Sequence, residues 1–527
     1  MYLSDFRGGT DIETFASAMH FLKEQSGCTL VIEPGTYTLS SELARKAQAS
    51  VMSGAFGSNP QDVMLNRNYR YTKGIAIDGQ HGTTVDAYGV TLSVDGFMEP
   101  VSITNCEDVE IRGLTIDHKR KPYSRGRLTK LSGGGTVCEI TLDEDCPIEE
   151  GSPLGLRTVF FDEKKRCRVE SRFEGAEFVD SHHMRVYVSH GEGLREGLLF
   201  YTVHTYHSRP AVLIENCKNI TLTDITIHSQ PGMGVVGNRS ENIFLKRLFV
   251  VPSAGHHLST NTDATHFTSV KGVIRFENCM FDGQGDDSAN VHGYYQTIIK
   301  KEAPEKCVIE VKSPHGTHTQ SLDYPDVGDK MELTDIHTLR VVDAYTVTAC
   351  SPVPEENGTH ITLDHDLPDN TDGLVLIDVT RLPRLEITGC TASRHFARGI
   401  LIKTREAVIE NNCFDGIVMS GIEAAAEASW YEGACPANVV IRRNRILNCG
   451  NGIVVKADCE NAIGQSIANI TIEDNVIDCP DAEFGIYVRN VDGLRCARNQ
   501  IRVKGVPLVI ENSTGVQCDT DYQDRLS

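Results

Sequence analysis

The sequence predicts an all-β protein: a right-handed parallel β-helix carrying two inserted antiparallel, barrel-like β modules. Three observations predict it. An eight-residue pattern with apolar or small residues at its first, third, sixth and eighth positions occurs nine times, from Val109-Ile111-Leu114-Ile116 to Leu494-Cys496-Asn499-Ile501. Successive copies start 22 to 32 residues apart, except for two gaps of 111. That spacing leaves too little chain for a helix between strands, which points to stacked coils and away from a βαβ sheet. In the last four copies the sixth position is Asn412, Asn444, Asn475 and Asn499, where stacked coils lay one amide on the next.

In chain order, residues 1–116 read as an N-terminal cap and the first coils. A helix over residues 14–24, with Phe15, Met19, Phe21 and Leu22 on one side, precedes the apolar run Cys28 to Ile32 and a Pro34-Gly35 turn. Such a unit can hide the open end of a stack from water. Residues 46–75 carry no clear pattern. The long gaps hold two inserted β modules, at 117–205 (Val137-Cys138-Glu139-Ile140-Thr141-Leu142) and 295–380 (Val341 to Thr348). Residues 206–294 are coils bearing the densest chemistry, and residues 381–527 are the C-terminal coils.

Over 527 residues, 72 acidic side chains face 51 basic ones for a net charge of −21. This balance excludes nucleic acid and an anionic membrane as main partners and suits a neutral ligand. No apolar run has the length of a membrane span, and Met1 to Gly9 lacks the features of an export signal. The 17 cysteines fall largely inside apolar strand patterns (Cys279, Cys390, Cys496), as small buried hydrophobes do. The reading is a reduced, cytoplasmic protein, with a secreted chain trimmed of its signal as the alternative. No CxxC pair or His/Cys cluster calls for a metal, and no motif calls for a cofactor. A homo-oligomer stays open.

The chemistry gathers in residues 261–293: Asn261-Thr262-Asp263-Ala264-Thr265-His266-Phe267, then Gly285-Asp286-Asp287-Ser288-Ala289-Asn290-Val291-His292-Gly293. Asp263 and Asp287 are 24 positions apart, about one coil. Aligning the second strand of each coil on Gly234, Ala264, Ser288, Gly399 and Gly421 turns the third and fifth residues outward. His266, Asn290, His292, Lys403 and Glu423 then share one face, with Asp263, Asp287 and Arg398 in a file beside them. Glu427, Trp430 and Tyr431 follow on a loop that offers a sugar an aromatic face and a polar rim. Paired carboxylates of this kind suit glycosidic bond cleavage, one protonating the leaving oxygen and one activating water.

These residues carry a resemblance. The run from Asn261 to Phe267, the Gly285 to Gly293 block, Pro231-Gly232-Met233-Gly234 and Ser429-Trp430-Tyr431-Glu432 resemble glycoside hydrolase family 110, the inverting exo-acting α-1,3-galactosidases, distantly similar to polygalacturonases. The resemblance covers most of the chain, inserted modules included. It implies that Asp263, Asp286 and Asp287 are the catalytic acids and bases, and that the substrate is a carbohydrate with terminal galactose. Asp287 is the expected general acid, with Asp263 or Asp286 directing water.

Other readings compete. Asp and Asn in β-helix turns often serve only the backbone, and Arg398 and Lys403 could merely neutralise an acidic patch. A β-helix polysaccharide lyase would use Lys403 or Arg398 as base on an anionic substrate, and a carbohydrate-binding protein would share the fold without turnover. Net negative charge weighs against the lyase.

Overall fold

In the computed structural model, residues 1–525 are described apart from 7, 26, 67, 165, 166, 170, 313–322, 354–357 and 520–522. Two long sheets of 21 and 13 strands run the length of the molecule, parallel but for one short strand, and form the coils of a β-helix. All nine copies of the sequence pattern stack in register on the larger sheet. Val109 pairs with Ile220, Ile220 with Ile243, Ile243 with Ile274 and Ile274 with Leu385. The file continues through Ala407, Val439, Ile470 and Leu494. Its apolar side chains form one continuous core.

The structure explains why the pattern reads first, third, sixth, eighth and not strict alternation. The fifth residue of every copy has positive φ: Gly113, Asp224, Arg247, Asn278, Gly389, Asn411, Arg443, Asp474 and Arg498. A left-handed residue bends the strand at one corner of the coil and shifts the inward parity by one. Gly, Asn and Asp accept that conformation most readily, and Arg appears where its side chain pairs with a carboxylate, as Arg247 does with Asp224 at 2.5 Å. At the sixth position the amide ladder forms as expected. The backbone N of Asn412 donates to Asn444 Oδ1 at 3.0 Å, that of Asn444 to Asn475 Oδ1 at 3.0 Å, and that of Asn475 to Asn499 Oδ1 at 3.1 Å. Cys390 continues the column, its N donating to Asn412 Oδ1 at 2.8 Å.

The cap helix spans Asp11–Lys23, its N-cap Thr10 and Glu13 forming a capping box. It buries Phe15, Ala18, Met19 and Leu22. Phe21 departs from the expected face: it is 45% exposed and packs on Phe6, because at about 100° per residue it falls outside the stripe that Phe15, Ala18, Met19 and Leu22 complete. The stretch without pattern contains the helices Glu42–Met52 and Gln61–Met64.

Two modules leave the coil and return to the neighbouring rung. Strands between Tyr123 and Val203 form a seven-stranded antiparallel sheet, and strands between Gln296 and Asp378 close into a barrel. Each has its own core, built on Leu128, Ile140, Phe160 and Phe200 in the first and on Ile309, Leu333, Tyr345 and Ile361 in the second. The second face of the first sheet, with Val159, Phe161 and Tyr201, packs on Leu258 of the β-helix.

Candidate active site

The smaller long sheet has the register read from the sequence. His266 pairs with Asn290, Ala289 with Ile400 and Ile400 with Ile422, so Ala264, Ser288, Gly399 and Gly421 align. Asp263, Asp287 and Arg398 therefore stand in one file on consecutive coils, spaced about 4.8 Å. Inward neighbours such as Phe267, Val291 and Ile402 anchor these strands in the core.

A cleft of about 490 Å³ opens over this file. Of the residues expected there, Asp263, His266, Asp286, Asp287, Asn290, Arg398, Glu427 and Trp430 line it. His292, Lys403 and Glu423 do not; they stand directly behind the lining. The fifth residue of each strand lies farther along the coil than the third, and there Glu432 and Glu427 of the crossing segment cover His292 and Lys403. Glu423 accepts from Ser420 at 2.7 Å and faces Lys456 at 3.6 Å. Tyr431 has a left-handed backbone and packs on the core, with the Lys312 ammonium 5.8 Å from its ring centre. Sequence reasoning missed Arg157, Tyr206, His207, Glu432, and Asn59, Gln61 and Leu65 at the far end. Of these, Glu432 alone had a signal, its place in the Ser429-Trp430-Tyr431-Glu432 run.

A chain of contacts beneath the cleft links the two aspartates of the file. Asp263 Oδ2 receives His266 Nδ1 at 2.7 Å, and His266 Nε2 meets His292 Nε2 at 3.0 Å. His292 lies 3.7 Å from Glu432, and Glu432 pairs with Lys403. Lys403 Nζ sits 2.7 Å from Glu427, Glu427 lies 3.3 Å from Arg398, and Arg398 Nε lies 3.4 Å from Asp287 Oδ1. The Arg398 backbone N also donates to Asp287 Oδ1 at 2.7 Å.

The electrostatics follow from burial. Burial, then repulsion from Asp286 and Asp263, pushes the Asp287 carboxyl well above its ordinary range despite Arg398. Burial also raises Asp263, against the hydrogen bond from His266. Burial opposes the charge on His266, but Asp263 more than offsets it and the imidazole is raised. Burial takes His292 down to about 3, so it is neutral. Burial alone would raise Glu432, yet the cations beside it, Lys403 and His266, hold it well below the carboxylate range. With Asp287 protonated, the chain contains three anions (Asp263, Glu432, Glu427) and three cations (His266, Lys403, Arg398), the balance that buried charges require.

Asp286 points apart from its neighbour Asp287, with its side chain 27% exposed. Its carboxylate pairs with Arg157 of the first module at 3.2 Å. The segment Glu427 to Gly433 crosses the row of strands, Glu432 and Gly433 pairing antiparallel with Tyr294 and Gly293, and walls one end of the cleft with Trp430 at its rim. Toward the other end the lining becomes Val236, Met233, Pro210 and Leu65.

Three carboxylates from two adjacent coils, set in a ligand-sized cleft of a parallel β-helix, are the arrangement that glycosidic bond hydrolysis needs, and the relatives of the chain are glycoside hydrolases. The chain is a relative of the α-1,3-galactosidases over most of its length. It is 26% identical to alpha-1,3-galactosidase A of Bacteroides fragilis over 477 residues, 84% of this chain and 77% of that one. To alpha-1,3-galactosidase A of Bacteroides thetaiotaomicron it is 27% identical over 526 residues, 94% and 89% of the two chains. Alpha-1,3-galactosidase B of Phocaeicola vulgatus is 24% identical over 534 residues, 90% and 84%. No family model matches the chain. Among solved structures, the family 28 exopolygalacturonase of Yersinia enterocolitica superposes with a TM-score of 0.42 at 10% identity, covering 99% of this chain and 76% of that one.

Proposed function

We propose that the protein is an exo-acting α-galactosidase that removes terminal α-1,3-linked galactose from oligosaccharides with inversion at the anomeric carbon. The observation that carries this reading is the convergence of Asp263, Asp286 and Asp287 on one cleft in a chain related to α-1,3-galactosidases along most of its length. The galactosyl unit lies at the walled, polar end, where Asn290, Arg398, Glu427 and Glu432 offer partners to its hydroxyls and Trp430 offers a face. The leaving sugar extends over Met233 and Pro210.

Asp287 is the general acid, because burial and like charge hold its carboxyl well above the ordinary range and keep it protonated. Asp286 and Asp263 take the base side, orienting the attacking water and receiving its proton. Side chains leaning from opposite sides of a substrate reach the roughly 6.5–9.5 Å that leaves room for that water. No covalent intermediate forms.

Incubation with α-1,3-linked galactobiose under proton NMR tests both statements. Release of galactose as the β-anomer first is expected. First appearance of the α-anomer would overturn inversion, and an unsaturated ultraviolet-absorbing product would replace the hydrolase with a lyase.

A further inference from the structure

Asp286 is the most exposed of the three aspartates, so packing does not fix its carboxylate. What does hold it comes from 129 residues earlier in the chain, on the first inserted module. Strand Arg157–Asp162 alternates, and Val159 and Phe161 face the β-helix, where Phe161 lies 4.4 Å from the ring of His257. The same parity sends Arg157 toward the helix, into the cleft wall.

There its guanidinium is clamped. The Tyr206 ring centre lies 4.4 Å from Arg157 Cζ and the Phe396 ring centre 5.0 Å from it. These two aromatics come from either side of the catalytic coils, Tyr206 just after the first module and Phe396 on the coil that follows the second. Arg157 Nη2 donates to Tyr206 Oη and, at 3.2 Å, to Asp286 Oδ2. Nη1 is buried with no hydrogen-bond partner beside Gly285. That glycine is required first by the preceding coil, since an added Cβ would lie 1.9 Å from the Asn261 carbonyl oxygen and 3.0 Å from Arg157 Nη1. Among the described residues, no other cation is within ion-pair distance of Asp286.

We infer that Arg157 is a positioning residue for Asp286, and that the first inserted module is therefore a working part of the active site. This rests on the hydrolase reading for its consequence, although the clamp itself does not. A flat cation held between two rings loses little freedom on pairing, so it sets the direction of the carboxylate as well as its charge partner. Lysine, a point charge on a flexible stem, cannot fill the same slot.

The test compares the full-length wild type with R157A, R157K and D286N on an aryl α-galactoside, with added guanidinium ion as a small-molecule replacement. Trp430 is the only tryptophan and stands at the cleft rim, so its fluorescence reports galactose binding independently of turnover. R157A should lose about 100-fold in kcat with KM changed less than about threefold. Added guanidinium should restore at least about tenfold in R157A and nothing in D286N, and R157K should resemble R157A. An R157A kcat within about threefold of wild type overturns the inference, as does a loss that guanidinium leaves untouched. If wild type binds galactose but turns over no galactoside, the hydrolase reading fails instead. The clamp is then judged on geometry, where an Asp286 carboxylate in the same place in crystal structures of wild type and R157A defeats it.

Discussion

His266 and His292 meet nitrogen to nitrogen, Nε2 to Nε2 at 3.0 Å, and only one of those nitrogens can carry the hydrogen. His292 Nδ1 faces the Gly293 carbonyl at 3.1 Å, which takes its single proton and leaves Nε2 as acceptor. His266 must therefore donate from Nε2, and its Nδ1 faces Asp263, so it is an imidazolium paired with a carboxylate. Nitrogen-detected NMR of labelled protein at pH 6 should show His292 neutral with its proton on Nδ1 and His266 charged. A neutral His266 would sink the assignment.

The acid assignment predicts a pH dependence. Asp287 acts while protonated and its carboxyl is raised, so kcat/KM should fall on the basic side as pH rises through the raised value, and on the acidic side as Asp263, also raised by burial, takes up a proton. D287N should remove that basic limb. It should also cost galactobiose turnover more than nitrophenyl galactoside turnover, since a good leaving group needs no proton. Each of D263N, D286N and D287N should lower kcat by about 100-fold or more, with Tm largely unchanged in D286N and D287N and lowered in D263N, which leaves the buried His266 without its carboxylate. If D286N shows the leaving-group dependence and D287N does not, the donor is Asp286.

The far end of the cleft should read the leaving sugar. Gln61 is buried with its Oε1 lacking a hydrogen-bond partner, and Asn59 and Leu65 lie beside it on the lining. Q61L should raise KM for oligosaccharides about tenfold and leave an aryl galactoside, which does not extend that far, within about twofold. Equal effects on both substrates would place the galactosyl unit at this end.

Glu99 makes a stability prediction outside the chemistry. It is 0% exposed, neither oxygen has a hydrogen-bond partner, and burial raises it to about 7. The folded state therefore keeps a proton that the unfolded chain releases near pH 4.5. Stability from this group is present at low pH and is lost as pH rises through about 7. E99Q needs no proton, so it should be more stable than wild type at pH 8 by about 3 kcal/mol and no more stable at pH 4. Thermal melts at the two pH values decide it; a constant difference would show that the carboxyl does not titrate there.

Much of this was legible from the repeat alone. Register, the Asn412 to Asn499 ladder and the Asp263–Asp287–Arg398 file follow from counting, because a coil fixes which residues are neighbours. What counting cannot reach are residues delivered by chain that does not repeat. Arg157 sits on an inserted module, Gln61 on a short helix in the patternless stretch, and Tyr206 on the return to the coil. Their positions depend on how separate cores dock. His292 and Lys403 were assigned to the correct face but to the wrong depth, since alternation gives a direction and says nothing about what already covers it.

The asparagine ladder has a sense. At each rung the backbone N is satisfied by the side chain of the following coil: Cys390 by Asn412, Asn412 by Asn444, Asn444 by Asn475, Asn475 by Asn499. A ribosome makes the chain in the same direction, so every coil emerges with one buried donor still waiting for a residue not yet synthesised. Each turn is completed only by its successor. Shortening the protein from its far terminus leaves an unanswered backbone amide at the new last rung, whereas trimming from the start leaves the backbone amides paired and removes only a carbonyl, such as Ile387 O, that accepts from an asparagine Nδ2. The stack is thus closed from behind, coil by coil, and its final rungs act as the latch for those made before them.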